Sequence, residues 1–175
     1  MNLPNKLTIA RVVVVPIFIV LFLFNYHLIA FAVFILAALT DLIDGQIARK
    51  YNLVSNFGKI MDPLADKILV YSAFCLMVEN GLIPGWMLIV ILTREFIVAG
   101  MRTVAASEGL VVAAGMSGKI KTVLQMVAVP MLLLVPVISW QFWITASMIV
   151  LWASLLMTVY SGVEYIYQNR KVFTI

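Results

Sequence analysis

The sequence has few charged residues, one cysteine and no polar stretch that could separate domains. Only 11% of its 175 residues are charged and 64% are hydrophobic. A soluble domain of this size could not bury so much apolar surface, so the composition predicts an integral membrane protein. Because no linker or low-complexity run divides the chain, we expect a single membrane-embedded domain over residues 1–175. The lone Cys75 excludes an internal disulfide framework, and its apolar surroundings predict a buried thiol.

Apolar runs divide the chain into six predicted helices, each long enough to cross a bilayer. They cover residues 6–25, 28–50, 56–79, 84–106, 118–138 and 141–168. Gly81 and Pro84, between the third and fourth runs, are typical of a helix end followed by a new helix start. The predicted fold class is therefore an all-α integral membrane protein with six transmembrane helices.

Lysine and arginine are missing from the first, third and fifth connections between these helices. They occur near both termini and in the second and fourth connections, as Lys6, Arg11, Arg49, Lys50, Lys59, Arg102, Lys119, Lys121, Arg170 and Lys171. The positive-inside rule then places both termini and the even-numbered connections in the cytoplasm. Trp86, Trp140 and Trp143 fall at the opposite ends, as interfacial aromatic residues do. Lys67 and Arg94 lie inside predicted spans and need partners or a cavity.

All four aspartates of the chain fall within 26 residues, as Asp41, Asp44, Asp62 and Asp66. A carboxylate that faces lipid costs about 2.5–3.5 kcal/mol, so such a cluster must face a polar cavity that contains positive charge. Helical spacing places the first two aspartates on one face of the second span and the last two on one face of the third. Hard divalent cations prefer carboxylate oxygen, so the hairpin predicts a site for one or two such ions.

Two other roles are open to carboxylates inside a membrane. They can pair with Lys67 or Arg49, or they can relay protons and ions in a cation transporter. A transporter would usually place polar residues along its whole path, whereas the outer halves of spans two and three are apolar. Gly45, Ala48 and Gly58 share the aspartate faces and leave room for a ligand, and Arg49 adds a group that binds phosphate. The neighbouring residues thus favour a ligand site.

Eight residues between Asp41 and Asp66 have the spacing D-x2-D-G-x2-A-R-x8-G-x3-D-x3-D. This pattern resembles the signature of the CDP-alcohol phosphatidyltransferases, and every fixed position is filled. The resemblance implies the fold of that family, a six-helix membrane enzyme that is commonly a homodimer and uses Mg²⁺ or Mn²⁺. Such an enzyme transfers a phosphatidyl group from CDP-diacylglycerol to an alcohol and releases CMP. It would be a multi-pass protein of the cell inner (cytoplasmic) membrane, with membrane lipid and no nucleic acid as partner, and its active site would face the cytoplasm.

The resemblance also implies a role for each signature residue. Asp41, Asp44 and Asp62 would bind a first metal ion, and Asp66 would complete a second metal site and act as general base. Three small residues and one arginine would contact CDP-diacylglycerol: Gly45, Ala48 and Gly58 beside the cytidine, and Arg49 at the diphosphate.

Four segments outside the signature, residues 2–11, 93–102, 105–109 and 118–122, resemble bacterial phosphatidylglycerophosphate synthases, one branch of the family. That branch uses sn-glycerol 3-phosphate as the acceptor. The resemblance therefore implies this acceptor, and it implies that Asn5 and Thr8 contribute to CDP-diacylglycerol binding.

Four basic residues predicted at one side of the membrane form a candidate site for the acceptor phosphate: Arg94, Arg102, Lys119 and Lys121. Lys119 follows Gly118 at a predicted helix start, where backbone N–H groups favour an anion. Such a set suits a phosphate dianion better than serine or a neutral polyol. Three alternatives are open: ordinary positive-inside residues, pairing of Arg94 with Glu95 or Glu108, and a family member whose acceptor is inositol phosphate or phosphatidylglycerol. Residues 123–175 are expected to carry little chemistry.

Overall fold

The computed structural model describes the backbone of residues 3–50, 56–109 and 115–170. It also describes their side chains, except those of residues 3–9, 11, 41–50, 56–63 and 66. Within these ranges the chain forms six helices and no strand: α1 (Leu3–Leu23), α2 (His27–Lys50), α3 (Asn56–Glu79), α4 (Gly85–Ser107), α5 (Met116–Leu133) and α6 (Gln141–Gln168). The all-α class and the six predicted helices are thereby confirmed.

The turn between α3 and α4 lies where glycine and proline predicted it. Gly81 has a φ of 68°, a left-handed conformation that glycine adopts without steric cost. Pro84 is the N-cap of α4 and is extended, with φ −73° and ψ 139°. One residue ends the third helix, and the other sets the backbone angle from which the fourth begins.

The fifth helix ends earlier than expected. The apolar run predicted a helix to residue 138, but α5 ends at Leu133 and residues 134–137 form turns. Pro136 accounts for the difference, because its ring lacks the N–H that a helix needs and clashes with the carbonyl one turn earlier. Apolar periodicity alone does not register this steric effect.

The hydrophobic core lies toward the end of the molecule formed by the first, third and fifth connections. Helix α1 packs against α2 and α3, α6 packs against α4 and α5, and α5 also contacts α2 and α3. The largest fully buried side chains include Phe18, Phe22, Phe34, Phe74, Met77, Met87 and Ile91. Since each lies in the part of its helix nearest that end, the opposite halves of α3 to α6 are left for polar side chains.

The outer surface of the helices is apolar. Large hydrophobic side chains are exposed on all six, for example Ile17, Leu36, Leu64, Phe96, Val123 and Phe142. Cys75 belongs to this surface, so the expectation of a buried thiol was wrong. Its neighbours Phe74 and Leu76 are buried, which turns residue 75 to the other side of α3. A surface of this kind suits contact with lipid rather than water.

Among the described residues, α6 is the one helix both long and apolar enough to cross a membrane. Shorter apolar stretches cover Val12–Leu23 and His27–Thr40. Helix α4 is long enough, but it carries Arg94, Glu95 and Arg102 along its length.

Candidate active site

The signature residues lie on two consecutive helices, near the ends that residues 51–55 connect. Asp41, Asp44, Gly45, Ala48 and Arg49 are in the second half of α2, and Gly58, Asp62 and Asp66 are in the first half of α3. Asn5 and Thr8 are in the first turns of α1, which contacts both of those helices. All of these side chains lie outside the described residues, so their roles stay predictions.

Lys67, the residue after Asp66, is the first member of a cluster that the structure does describe. We define the Glu95 cluster as Lys67 from α3, Arg94 and Glu95 from α4, Lys121 from α5 and Ser161 from α6. Lys67 Nζ lies 3.1 Å from Glu95 Oε2, and Arg94 Nη1 donates to Glu95 Oε1 at 2.8 Å. Lys121 Nζ donates to the same Oε1 oxygen. Three cations from three helices thus surround one carboxylate.

This cluster is largely buried, and burial makes its charge balance important. The side chains of Glu95 and Lys121 are 9% and 4% exposed, whereas that of Lys67 is 41% exposed. Charges removed from water must be paired, so Glu95 meets the predicted need of Lys67 and Arg94 for a partner. One carboxylate does not balance three cations. Among the described groups, the cluster is therefore a region of positive potential that attracts anions.

Arg94 has donor capacity beyond the bond to Glu95. Its Nη2 atom donates to Ser161 Oγ at 3.1 Å. Its Nε is buried and has no hydrogen-bond partner among the described residues. A guanidinium carries five N–H donors in a fixed plane, and an unpaired buried donor is costly. An oxyanion would satisfy the donors of Arg94 that remain.

A small cavity of about 20 Å³ lies beside Arg94, between α4, the start of α5 and α6. Its lining combines polar and apolar surface and includes one carboxylate, that of Glu164: the lining residues are Arg94, Arg102, Gly115, Ser117, Gly118, Ser161, Glu164, Tyr165 and Gln168. The N-cap of α5 is Gly115. Glycine has no side chain that could cap the helix, so the backbone N–H groups of the first turn donate to no capping side chain from it and can donate to an anion. The volume suits about one water molecule, so a phosphate group would fit only after an exposed side chain of the lining, such as Gln168, moves outward.

Arg102 reaches this cavity by a contact with α6. Its Nε donates to Tyr165 Oη at 3.3 Å, and its Cζ lies 5.4 Å from the centre of the Tyr165 ring. Arg94 and Arg102 are eight residues apart, slightly more than two turns, so both lie on the face of α4 that packs against α6.

The two lysines of the predicted acceptor site lie elsewhere. Lys121 lines a second cavity of about 60 Å³ together with Lys67, Tyr71, Glu95, Thr122 and Gln125. The buried Gln125 Nε2 has no hydrogen-bond partner among the described residues. Lys119 is exposed and lines neither cavity. The structure thus brings Arg94 and Arg102 together at one cavity, and it places Lys121 at the other, with Glu95.

Three residues of α6 that contact the two arginines were missed from the sequence: Ser161, Gly162 and Tyr165. Residues 123–175 were expected to carry little chemistry, and these contacts of α6 with the two arginines were not anticipated. The available signal was the adjacent small pair Ser161-Gly162 within an otherwise apolar helix. It could indicate helix packing equally well, so only the folded structure identifies what it contacts.

Comparison with known proteins identifies the family to which this chain belongs. The family model for CDP-alcohol phosphatidyltransferase matches residues 1–160, and the chain belongs to that family. Proteins of the family are membrane enzymes of phospholipid synthesis.

Among its relatives, a Bacillus subtilis CDP-diacylglycerol–glycerol-3-phosphate 3-phosphatidyltransferase is 45% identical, over 96% of this chain and 95% of that protein. A Rickettsia typhi protein of the same name is 40% identical, over 98% of this chain and 99% of the relative. A probable phosphatidylglycerophosphate synthase of Mycobacterium tuberculosis is 37% identical, over 94% of this chain and 80% of the relative.

Proposed function

We propose that this chain transfers the phosphatidyl group of CDP-diacylglycerol to sn-glycerol 3-phosphate, giving phosphatidylglycerophosphate and CMP. Relatives that match nearly the whole chain carry the name of this reaction, which supports the proposal. The structural observation that supports this acceptor is that Arg94 and Arg102 both line one cavity beside the uncapped start of α5. Such donors suit a phosphate dianion, and the proposed acceptor has one.

Within this proposal the acceptor phosphate binds chiefly to Arg94 and Arg102. Lys121, which is paired with Glu95, contributes positive charge near the site. Lys119, which is exposed in the first turn of α5, also contributes positive charge. Serine, free inositol and glycerol have no phosphate to fill the cavity. Inositol phosphate and phosphatidylglycerol do have one, so they are the competing acceptors within the family.

We further propose that Asp41, Asp44, Asp62 and Asp66 bind two divalent ions, Mg²⁺ or Mn²⁺. Their carboxylate oxygens are the donors that such hard cations prefer, and the backbone places all four near the connected ends of α2 and α3. Among the side chains that the structure describes, no three carboxylates, imidazoles or thiols come together. Bound ions of this kind neutralise a diphosphate and stabilise the charge that develops on departing CMP.

The residues of the chain then have these roles. A hydroxyl oxygen of glycerol 3-phosphate forms a bond to the phosphorus that carries the diacylglycerol, and the bond from that phosphorus to CMP breaks. Asp66 accepts the proton of the attacking hydroxyl, and CMP leaves with the bonding electrons. Six residues contact CDP-diacylglycerol in this proposal: Asn5, Thr8, Gly45, Ala48, Arg49 and Gly58.

The proposed setting is the cell inner membrane, crossed by all six helices of a single catalytic domain that forms a homodimer. Both termini and the active site would face the cytoplasm, because Lys and Arg are absent from the first, third and fifth connections. Single cysteines at Ser55 and Asn80 test this orientation in sealed vesicles. Since Cys75 is exposed, it is first replaced by alanine. The two sites should react from opposite sides, and reaction of both from one side would contradict the topology.

The function itself is tested by CMP release from CDP-diacylglycerol with purified protein. The acceptor panel contains glycerol 3-phosphate, inositol phosphate, phosphatidylglycerol, serine, inositol and glycerol, each with and without a chelator. Glycerol 3-phosphate should support the highest turnover, and the chelator should abolish it. Preference for any other acceptor would overturn the assignment, and full activity with the chelator would overturn the metal sites.

A further inference from the structure

The side chain of Arg94 extends from α4 to α6 and is fixed by described partners at both terminal nitrogens. Nη1 donates to Glu95 Oε1 at 2.8 Å, and Nη2 donates to Ser161 Oγ at 3.1 Å. Ser161 donates its own hydroxyl proton to the carbonyl oxygen of Thr158 at 3.2 Å. The Ser161 oxygen is therefore oriented as an acceptor for Arg94, and the direction of the guanidinium is set.

Gly162, the next residue on α6, lies against the aliphatic part of Arg94. A methyl group at this position would lie 2.9 Å from Arg94 Cγ, much closer than two carbon atoms normally approach. A methyl group at Gly118 of α5 would lie 3.4 Å from Arg94 Nη2, in van der Waals contact with the guanidinium. Both glycines are within helices, so their small size, rather than an unusual backbone conformation, leaves space for the arginine.

Open space beside Arg94 gives a displaced side chain room to move. An apolar groove of about 260 Å³ runs between α4 and α6 and is lined by residues including Arg94, Ile97, Val159, Gly162 and Val163. Gly162 lines this groove, and Arg94 lines both the groove and the polar cavity, so a larger residue at position 162 would shift the Arg94 side chain from its observed place. Because that space exists, we expect misplacement of the guanidinium rather than loss of the fold.

We propose that Ser161 and Gly162 are positioning residues, which direct Arg94 toward the phosphate of the acceptor. Helix α6 lies outside the signature, yet on this account it sets the affinity for the acceptor alcohol. The inference rests on the proposed function, in which Arg94 binds that phosphate. It goes further in assigning the placement of Arg94 to one hydroxyl and one missing side chain on another helix.

The test compares Ser161→Ala and Gly162→Ala in the purified full-length chain, with CMP release measured while one substrate is varied at a time. Ser161→Ala should lower kcat/KM for glycerol 3-phosphate about 10-fold, the effect of losing one hydrogen bond to a charged group. Gly162→Ala should have an effect of about the same size, because it displaces the same guanidinium. Most of this loss should be an increase in KM for the acceptor. The KM for CDP-diacylglycerol should change by less than about twofold. Ser161→Thr keeps the hydroxyl and should recover most of the loss.

Two matched controls come from the same helices. Gly100→Ala on α4 adds a methyl group where no atom lies within 4 Å. Ser154→Ala on α6 removes a buried hydroxyl that has no hydrogen-bond partner among the described residues. Both should retain the KM of the unmodified chain for the acceptor. An equal increase in KM in these controls would overturn the positioning role.

Repeating both substitutions in an Arg94→Ala background decides whether they act through the arginine. In a chain that lacks the Arg94 side chain, Ser161→Ala and Gly162→Ala should each lower kcat/KM for glycerol 3-phosphate by a further factor of less than about two. Fully additive losses would contradict the proposal. If Gly162→Ala fails to fold, the Ser161→Ala cycle decides alone. A chain that shows this coupling with a different phosphorylated acceptor would keep the positioning role and lose only the proposed acceptor, whereas a chain without any transfer activity would lose both.

Discussion

The signature hairpin (residues 41–66) and the α4–α6 region, by which we mean the Glu95 cluster and the cavity beside Arg94, hold their proposed functional residues in different ways. In the hairpin, eight residues on consecutive helices occupy a 26-residue segment, so one short pattern contains them all. At the α4–α6 region, Arg94 meets Gly118 and Ser161, which lie 24 and 67 residues further along the chain. The residues proposed for the transfer reaction are therefore local in sequence, and on the proposed function the choice of acceptor depends on contacts that only the folded chain assembles.

The largest loss of activity should follow from substitutions in the signature hairpin. Asp41→Asn, Asp44→Asn, Asp62→Asn or Asp66→Asn should each remove nearly all CMP release, because every ligand charge helps to bind the cation. Activity of purified variants that still insert into membranes measures this. Glu79→Gln is the control, since Glu79 is an exposed carboxylate at the other end of α3. If Asp41→Asn and Asp62→Asn both retain full activity, the metal sites are wrong.

The next prediction tests whether the Glu95 carboxylate stabilises the α4–α6 region. Glu95→Gln removes the negative charge that three cations share and should lower the free energy of unfolding by about 3 kcal/mol or more, the usual result of removing one partner of a buried ion pair. Denaturant titration in detergent measures the change. Glu108→Gln, at the exposed C-cap of α4, should have almost no effect.

A second variant separates charge balance from the loss of a hydrogen bond at Glu95. Adding Lys121→Met to Glu95→Gln removes the most buried of the three cations and should restore part of the stability. If the double variant is less stable than Glu95→Gln alone, positive charge is not what destabilises the single variant.

The sequence was sufficient for the elements and for the local motif. Apolar runs and turn residues gave six helices close to their observed bounds, except where Pro136 ends α5 early. The pattern placed the aspartates on α2 and α3, as the backbone does. The pairing of Arg94 with its neighbour Glu95 was one of the alternatives that the sequence left open, and it is observed. That Lys67 and Lys121 share the same carboxylate was not accessible, because neither is near Glu95 in sequence. Which cations share it depends on how α3 and α5 pack against α4.

Arg94 sharpens the comparison, because it is the less exposed of the two arginines that line the polar cavity. Arg94→Ala should reduce kcat/KM for glycerol 3-phosphate by roughly 10- to 150-fold, since charge-assisted bonds at a partly buried site contribute about 1.5–3 kcal/mol. Arg94→Lys should restore only part of this, because an ammonium lacks the planar fork of donors. Arg170→Ala, which removes an exposed arginine, is the control. An unchanged acceptor KM in Arg94→Ala would remove the basis for the phosphate site.

The smallest effect should come from the outer side of the same cavity, at Tyr165. Tyr165→Phe removes the hydroxyl that accepts a bond from Arg102 Nε at 3.3 Å and leaves the ring beneath the guanidinium. This bond is long and Arg102 is exposed, so it should contribute less than the bonds of Arg94, about 0.5–1.5 kcal/mol, and the KM for glycerol 3-phosphate should rise by about 2- to 10-fold. Tyr165→Leu also removes the aromatic face and should raise it further, by the roughly 0.5–1 kcal/mol typical of an exposed cation–π contact.

Tyr167 provides the matched control for this last prediction. Arg170 lies over its ring at 5.3 Å, so Tyr167→Phe alters the hydroxyl of a similar arginine–tyrosine pair two residues along the same helix. Tyr167 does not line the cavity that contains Arg94 and Arg102. Equal increases in KM for Tyr165→Phe and Tyr167→Phe would show that the hydroxyl acts through general surface charge. A rise for Tyr165→Phe alone would show that Arg102 must be held at the cavity, and that acceptor affinity depends on α6 at two separate contacts.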